Sequence, residues 1–468
     1  MTNENEELQR ILKEVVAQIR PDGEERKRVK AVTDLIIARI NEKASEMGLE
    51  AHAISVGSTA RNTWIRGEAD IDIFIMFPAD MTEEELKEKG LALAKSIADK
   101  YEERYASHPY LHAYFSDAEG RTEHEADLVP CFSVKDASLL KSAVDRTPFH
   151  NLYVVKRIAG LEDEVLLLKQ FMKYLGIYGS EQRRKGFAGY LCELLILNYS
   201  SFVRLLRNAS QWKYGERIDL EGKGTYEAEG TEPLIVIDPV DPRRNVAAAV
   251  SAYSFCRLID AARDFMADPS KEFFIPRKET PLSEAEFKRL VDARGTAFVM
   301  VLFDAPDVVE DILFPQLRKA EASVTTLIER HGFEVYRSEV SVEGAKAVLL
   351  FELLVWTLPR IKKHVGPPVT SKYYSEQFKS KYTSSPLLIE NGRYVVEVDR
   401  KYTDVVSLLK NELPSCSLGK NVSESIARGY EVLQTEEIRF FGDLGSFFKD
   451  YFSGVYSPRK RVPLSQRT

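Results

Sequence analysis

The chain has 468 residues, 44% hydrophobic and 29% charged, enough apolar content for about two to four cored domains and too polar for a membrane-embedded protein. Its net charge of −7 excludes a basic field over the whole molecule, so any RNA contact must come from a local patch. The four cysteines, Cys131, Cys192, Cys256 and Cys416, form no Cys-x-x-Cys pair, which argues against a zinc ribbon or disulfide framework and for a reducing, cytoplasmic setting.

The start, MTNENEELQR, is polar and acidic and does not read as a signal peptide. Leu8, Ile11, Leu12, Val15 and Ile19 then recur at helical spacing before Pro21, and a second helix over residues 24–47 carries Val29, Val32, Ile36 and Ile40. A strand over 51–56 leads into the small-residue turn Gly57-Ser58. Beyond it, Ile71, Ile73, Ile75 and Phe77 alternate, as in a half-buried strand, and Asp70 and Asp72 project from the opposite face. Two carboxylates on one face repel unless a cation lies between them, and Mg2+ takes carboxylate oxygens while keeping substrate phosphates in its shell. Ser58 and the amides of its turn can hold such a phosphate. A lone Asp-x-Asp is most simply a solvated strand face; its pairing with the upstream Gly-Ser turn favours a metal pair beside a phosphate cradle.

Thr82-Glu83-Glu84-Glu85 reads as a capping box, and the helix it opens is expected to run to about Tyr105. His124–Pro130 reads as a short strand with Glu125 and Asp127 on one face. Asp127 is the candidate third carboxylate, there to complete a metal site and help take a proton; otherwise it is a surface strand residue. Thr147–His150 marks a turn at the end of a first domain. Residues 162–175 form a helix with Leu166, Lys169 and Lys173 on one side, broken by Gly176-Ile177-Tyr178-Gly179. A loop from Lys185 enters an apolar helix, and the proline-rich stretch 237–244 precedes another helix expected from about Asn245.

The Gly-Ser turn followed by Asp-x-Asp resembles the nucleotidyltransferase superfamily of DNA polymerase beta. The segments GSTARNTW, EADIDIFI, EADLVP, TPFH, LLLKQFMKYLGIYG, GFAGYLCELL and DPVDPRRNVAA, in this order, closely resemble archaeal-type (class I) CCA-adding enzymes, the tRNA nucleotidyltransferases, over essentially the whole chain. The resemblance implies that Asp70, Asp72 and Asp127 are catalytic and bind Mg2+, and that Ser58 and Arg61 contact the triphosphate of ATP or CTP. It implies that His150, Lys169 and Tyr178 complete the nucleotide site and that Arg244 lies near the base, although adjacent Arg243 leaves that choice open. Read singly, His150 could finish a turn, Lys169 could be a solvated helix face and Tyr178 could pack its ring.

Residues 281–356 read as β-α-β-β, an α+β layer resembling a ferredoxin or RNA-recognition fold without its aromatic motif. Beyond it, Lys372, Lys379 and Lys381 are interleaved with Tyr373, Tyr374, Phe378 and Tyr382, a mix suited to RNA backbone or to a solvated loop pinned by aromatics. Pro458-Arg459-Lys460-Arg461 reads as a basic end. The expected architecture is α+β and multidomain: a polymerase-beta-like nucleotidyltransferase head (1–152), a helical central nucleotide-binding domain (153–276), a ferredoxin/RRM-like body (277–360) and a tRNA-binding tail (361–468). The expected activity is template-free addition and repair of the tRNA 3′-terminal CCA, from CTP and ATP, by a cytoplasmic enzyme that the resemblance makes a homodimer, with no membrane partner. A poly(A)- or oligoadenylate-type RNA nucleotidyltransferase and a catalytically silent RNA-binding scaffold are the alternatives. An intact carboxylate set weighs against the scaffold.

Overall fold

The computed structural model describes residues 2–105, 109–116, 123–275 and 280–453. The basic stretch Pro458–Arg461 lies outside them. The chain divides into two compact units, one within Met1–Arg277 and one within Lys278–Gly454.

The first unit opens with helices α1 (Thr2–Ile19) and α2 (Gly23–Glu46), strand β1 (His52–Val56), the short helix α3 (Gly57–Arg61) and strand β2 (Ile71–Pro78). Helix α4 (Glu83–Ile97) and strands β3 (Lys100–Tyr105), β4 (Pro109–Ser116) and β5 (Glu123–Ser133) follow. The five strands form one sheet in the order β1-β2-β5-β4-β3, in which β2 and β5 run parallel. The alternation read in β2 is real. Ile71, Ile73, Ile75 and Phe77 are buried with Ile36 and Ile40 of α2 and Leu86 and Leu93 of α4. Asp72, Phe74 and Met76 take the opposite face by the strand's period of two.

Helix α4 has the capping box at Thr82 and Glu85 but stops at Ile97 rather than near Tyr105. Residues 100–105 pair instead with β4 as an edge strand, consistent with their aromatic ends and with Asp99, whose carboxylate accepts from the Ser116 amide at 2.9 Å.

The helical half comprises α5 (Thr147–Val155), α6 (Glu162–Tyr174), α7 (Gly189–Tyr199), α8 (Phe202–Ala209) and α9 (Ala252–Ala267), with a two-stranded pair, β6 (Glu216–Ile218) and β7 (Leu234–Val236). The α1 stripe Leu8, Leu12, Val15 and Ile19 is buried in this core together with Leu166, Leu194 and Phe265. Thr147–His150 is the first turn of α5 rather than a bare turn, with Pro148 near the helix start, where its missing N–H costs little. The helix expected from Asn245 begins only at Ala252, capped by Ser251. Asn245 is withdrawn from helical use because its buried side chain accepts from the Val236 and Ala247 amides and donates to the Leu234 carbonyl.

The second unit contains α10 (Glu284–Arg294), β8 (Ala297–Asp304), α11 (Glu310–Arg330), β9 (Glu334–Glu343) and β10 (Lys346–Val355), as the β-α-β-β reading anticipates. It continues through β11 (Ile361–Pro368), α12 (Lys372–Lys381), β12 (Leu387–Glu390), β13 (Arg393–Asp399), α13 (Val405–Glu412), α14 (Lys420–Arg428), β14 (Tyr430–Gln434) and α15 (Leu444–Ser453). β14 returns to complete a four-stranded sheet, β14-β8-β10-β9, whereas β11, β13 and β12 form a separate three-stranded sheet. Among the described residues no helix is long and apolar enough to cross a membrane.

Candidate active site

Strand register assembles the acidic centre. Val56 lies opposite Asp72, Asp72 opposite Asp127, and Asp127 opposite His112, one row across β1, β2, β5 and β4. Asp70 immediately precedes β2. Gly57 closes the row from above: its φ is +77°, and a Cβ there would lie 2.0 Å from Asp72 Oδ2. Only glycine both adopts that backbone and leaves room for the carboxylate. His112 Nδ1 lies 2.6 Å from Asp127 Oδ1, and its Nε2 lies 3.5 Å from Glu125. Burial first, then the charges of Asp127 and Asp70, push the Asp72 carboxyl up to about 7. Burial and the Asp127 charge raise Asp70 as well.

These carboxylates border an open cleft of about 540 Å³ that also presents Arg28, Arg104 and His112. Among the described residues, no three acidic, histidine or cysteine side chains already close on one point as a complete cage. The donor set nevertheless suits a hard divalent cation, which typically takes one or two protein carboxylates and completes its shell with substrate phosphates and water. The mutual repulsion that raises Asp72 is what a cation would relieve.

A second cluster forms beside the Gly-Ser turn. Ser58 stands in the first turn of α3, its carbonyl accepting from the Thr63 amide at 3.0 Å. Arg61 is buried, with Nε 3.1 Å from Glu193 Oε1 as an ion pair lacking hydrogen-bond alignment. Thr63 Oγ1 donates to the same oxygen at 2.6 Å, and Lys169 Nζ donates to the Thr63 carbonyl at 2.8 Å. Burial lowers the Lys169 pKa, opposed by the Glu193 charge. A Cβ on Gly189 would meet Tyr178 Oη at 3.1 Å and Lys169 Nζ at 3.6 Å, so both polar ends flank the start of α7. Arg61, Lys169 and Tyr178 are therefore gathered at one place, and Glu193 is the anion among them. Sequence reasoning passed over Glu193, although a lone carboxylate inside the apolar run Leu191–Ile196 was a visible signal.

A third cluster holds His150 and Arg244. Both bond Asp238 Oδ2, His150 through Nε2 and Arg244 through Nη1, each at 2.8 Å. Asp238 Oδ1 accepts from the Val240 amide at 3.1 Å and from the Tyr190 hydroxyl at 3.3 Å. The Tyr190 ring stacks on His150 with centroids 4.0 Å apart. Burial opposes ionisation of Asp238, but the bond from His150 and the other donors hold its carboxyl below the ordinary value. Burial lowers the His150 pKa, with the Asp238 bond opposing. An ionised carboxylate only accepts, so His150 Nε2 carries the hydrogen. Of the two arginines between which the sequence could not choose, Arg244 is the one held in this cluster. The Arg243 side chain is 80% exposed, 3.9 Å from Asp241.

Lys372, Lys379 and Lys381 belong to the second unit, on α12, and all three are exposed. Lys379 lies over the Tyr394 ring and Lys381 over Tyr382, while Tyr373 and Tyr374 stay open to solvent.

Comparison with known families matches three models in chain order: the nucleotidyltransferase domain over residues 37–150, the tRNA nucleotidyltransferase second domain over 163–275, and the CCA-adding enzyme C-terminal domain over 294–435. The CCA-adding enzyme of Methanosarcina barkeri is 44% identical, covering 91% of this chain and 93% of that protein. Those of Methanoregula boonei and Methanothermobacter thermautotrophicus are 43% and 40% identical, covering 92% and 96% of this chain and 93% and 98% of theirs.

Proposed function

The chain belongs to the CCA-adding enzyme family, and on that premise we propose that it transfers CMP, CMP and then AMP from CTP and ATP to the 3′ end of tRNA, releasing pyrophosphate without a nucleic-acid template. The observation that carries the reading is the cross-strand row in which Asp72 stands opposite Asp127 while the Gly57 turn packs on Asp72.

Asp70, Asp72 and Asp127 would hold Mg2+, with His112 orienting Asp127 from the neighbouring strand. With a pair of ions held there, one would favour ionisation of the terminal 3′-hydroxyl and the other would neutralise charge growing on the departing pyrophosphate. The 3′ oxygen would bond the α-phosphorus as the bond to pyrophosphate breaks, and Asp127 would help take the hydroxyl proton. The amides and hydroxyl of the Ser58 turn, with Arg61, Lys169 and Tyr178, would seat the triphosphate, so that catalysis is chiefly positioning and charge neutralisation.

Base choice has a physical basis in Arg244. Cytosine and adenine each present a ring-nitrogen acceptor beside an amino donor, whereas uracil and guanine present N–H at that ring position. A fixed guanidinium donor pairs with the first two and faces an unpaired donor in the others. The exposed lysines of α12 would hold phosphates of the tRNA body. The four cysteines are free thiols, which suits a cytoplasmic enzyme, and the homodimer rests on likeness to the family alone.

Incubating tRNA that ends at the discriminator base with each nucleotide separately tests the reading. CTP is used first and ATP only after it. Continuous A-tailing with ATP alone points instead to a poly(A)-type polymerase, and RNA binding without incorporation points to a silent scaffold.

A further inference from the structure

We propose that Asp238 is a specificity-positioning residue, which sets base selectivity by fixing the side chains of Arg244 and His150. The proposal rests on the base-reading role of Arg244.

Asp238 is buried and both its carboxylate oxygens are already filled by protein donors, so its influence on a ligand passes through those neighbours. Its carboxylate gathers donors from three separate stretches: α5 through His150, α7 through Tyr190, and its own loop through Val240 and Arg244. The Arg244 side chain keeps 38% exposure while one guanidinium nitrogen is tied down, leaving other N–H groups available to a ligand. A long side chain otherwise free to sample rotamers is thereby held in one. The same Oδ2 fixes the hydrogen of His150 on Nε2, which leaves Nδ1 an acceptor whenever the ring is neutral. One buried anion thus determines the state of both partners.

Replacing the carboxylate by an amide separates selectivity from packing. An asparagine has the same shape but one acceptor oxygen. The Val240 amide is backbone and cannot turn away, so the oxygen stays on that side and the NH2 group faces Arg244 and His150. His150 can answer by changing tautomer. Arg244 has no acceptor form and must leave its place.

The test measures single-turnover incorporation efficiency for all four nucleotides on the same acceptors: tRNA ending at the discriminator base, where CTP is the correct nucleotide, and tRNA ending in CC, where ATP is. Asp238→Asn is expected to cut the preference for CTP and ATP over UTP and GTP by about tenfold or more. Its melting temperature and circular dichroism report folding. If it does not fold, Asp238→Glu, which keeps the charge but shifts it by a methylene, is expected to alter the same ratio. Arg244→Ala runs beside them. A relaxed ratio in both the Asp238 and Arg244 variants supports the proposal. A common loss for all four nucleotides, with the ratio kept, in whichever Asp238 variant folds, overturns it and leaves Asp238 a structural residue. If the ratio is kept in Arg244→Ala as well, the base-reading role of Arg244 falls with it.

Discussion

Replacing Gly57 by alanine separates the two demands that the active-site turn places on one residue. The backbone there has φ +77°, which costs an L-residue about 1–2 kcal/mol. The new methyl would also lie 2.0 Å from Asp72 Oδ2, against an ordinary carbon–oxygen contact above about 3 Å, so the carboxylate must retreat by about an ångström or more. A misplacement of that size at a reacting centre costs about 100-fold in rate. The backbone cost alone leaves nearly all molecules folded in a protein of ordinary stability, about 5–15 kcal/mol. Gly57→Ala is therefore expected to lose about 1–2 kcal/mol in urea unfolding but about 100-fold or more in single-turnover CMP incorporation at saturating Mg2+ and CTP. Gly48→Ala is the matched control, because Gly48 has φ +65° and nothing within 4 Å of a Cβ. It should show the stability loss without the rate loss. A folded Gly57→Ala enzyme within about threefold of the parent rate would refute the placement of Asp72 at the reacting centre.

Asp70→Asn and Asp72→Asn should each abolish incorporation while sparing tRNA binding measured by filter retention; metal-dependent turnover near the parent rate in either would remove the metal assignment. Asp72 also links stability to pH and metal. Its folded carboxyl sits at about 7 against an ordinary 3.8, so between those values the folded state holds a proton that the unfolded state has released, and stability from this group falls as pH rises through that window, by at most about 4 kcal/mol. Mg2+ should therefore raise the melting temperature more at pH 8 than at pH 5, and an equal rise at both would contradict this. Glu193→Gln leaves Arg61 and Lys169 as buried cations without their anion and should cost about 3–5 kcal/mol in urea unfolding; a loss under about 1 kcal/mol would mean that the pair adds little. Neutralising Lys372, Lys379 and Lys381 together should raise the apparent KM for tRNA more than that for CTP, and flatten the log-affinity against log-salt slope by about 0.7–0.9 for each phosphate released; an unchanged slope would assign α12 to packing.

Local pattern carried much of this structure. The period of two in Ile71–Phe77 wrote a strand with Asp72 on its far face, and the stripes of α1 and α2 wrote buried helices, because a repeating apolar face is a property of neighbouring residues. The same local rules misjudged the end of α4, where Lys100–Tyr105 gain more from pairing with β4 than from extending the helix. They also misjudged Asn245, whose side-chain bonds to Leu234, Val236 and Ala247 compete with helical ones. In both places a partner outside the segment decided the outcome.

The sequence by itself determined the chemistry on offer: a small-residue turn, an Asp-x-Asp strand, a third carboxylate and a set of cations in a particular order. Only the tertiary structure decided which of these groups meet. Strand register set Asp127 against Asp72 and His112 against Asp127. Burial of polar groups then selected Glu193 as the partner of Thr63 from 130 residues away, and Asp238 as the partner of His150 from 88. Periodicity records which face of an element is apolar, but not which distant donor a buried carboxylate will find. That choice is made when both groups lose water together, because neither can remain buried without the other.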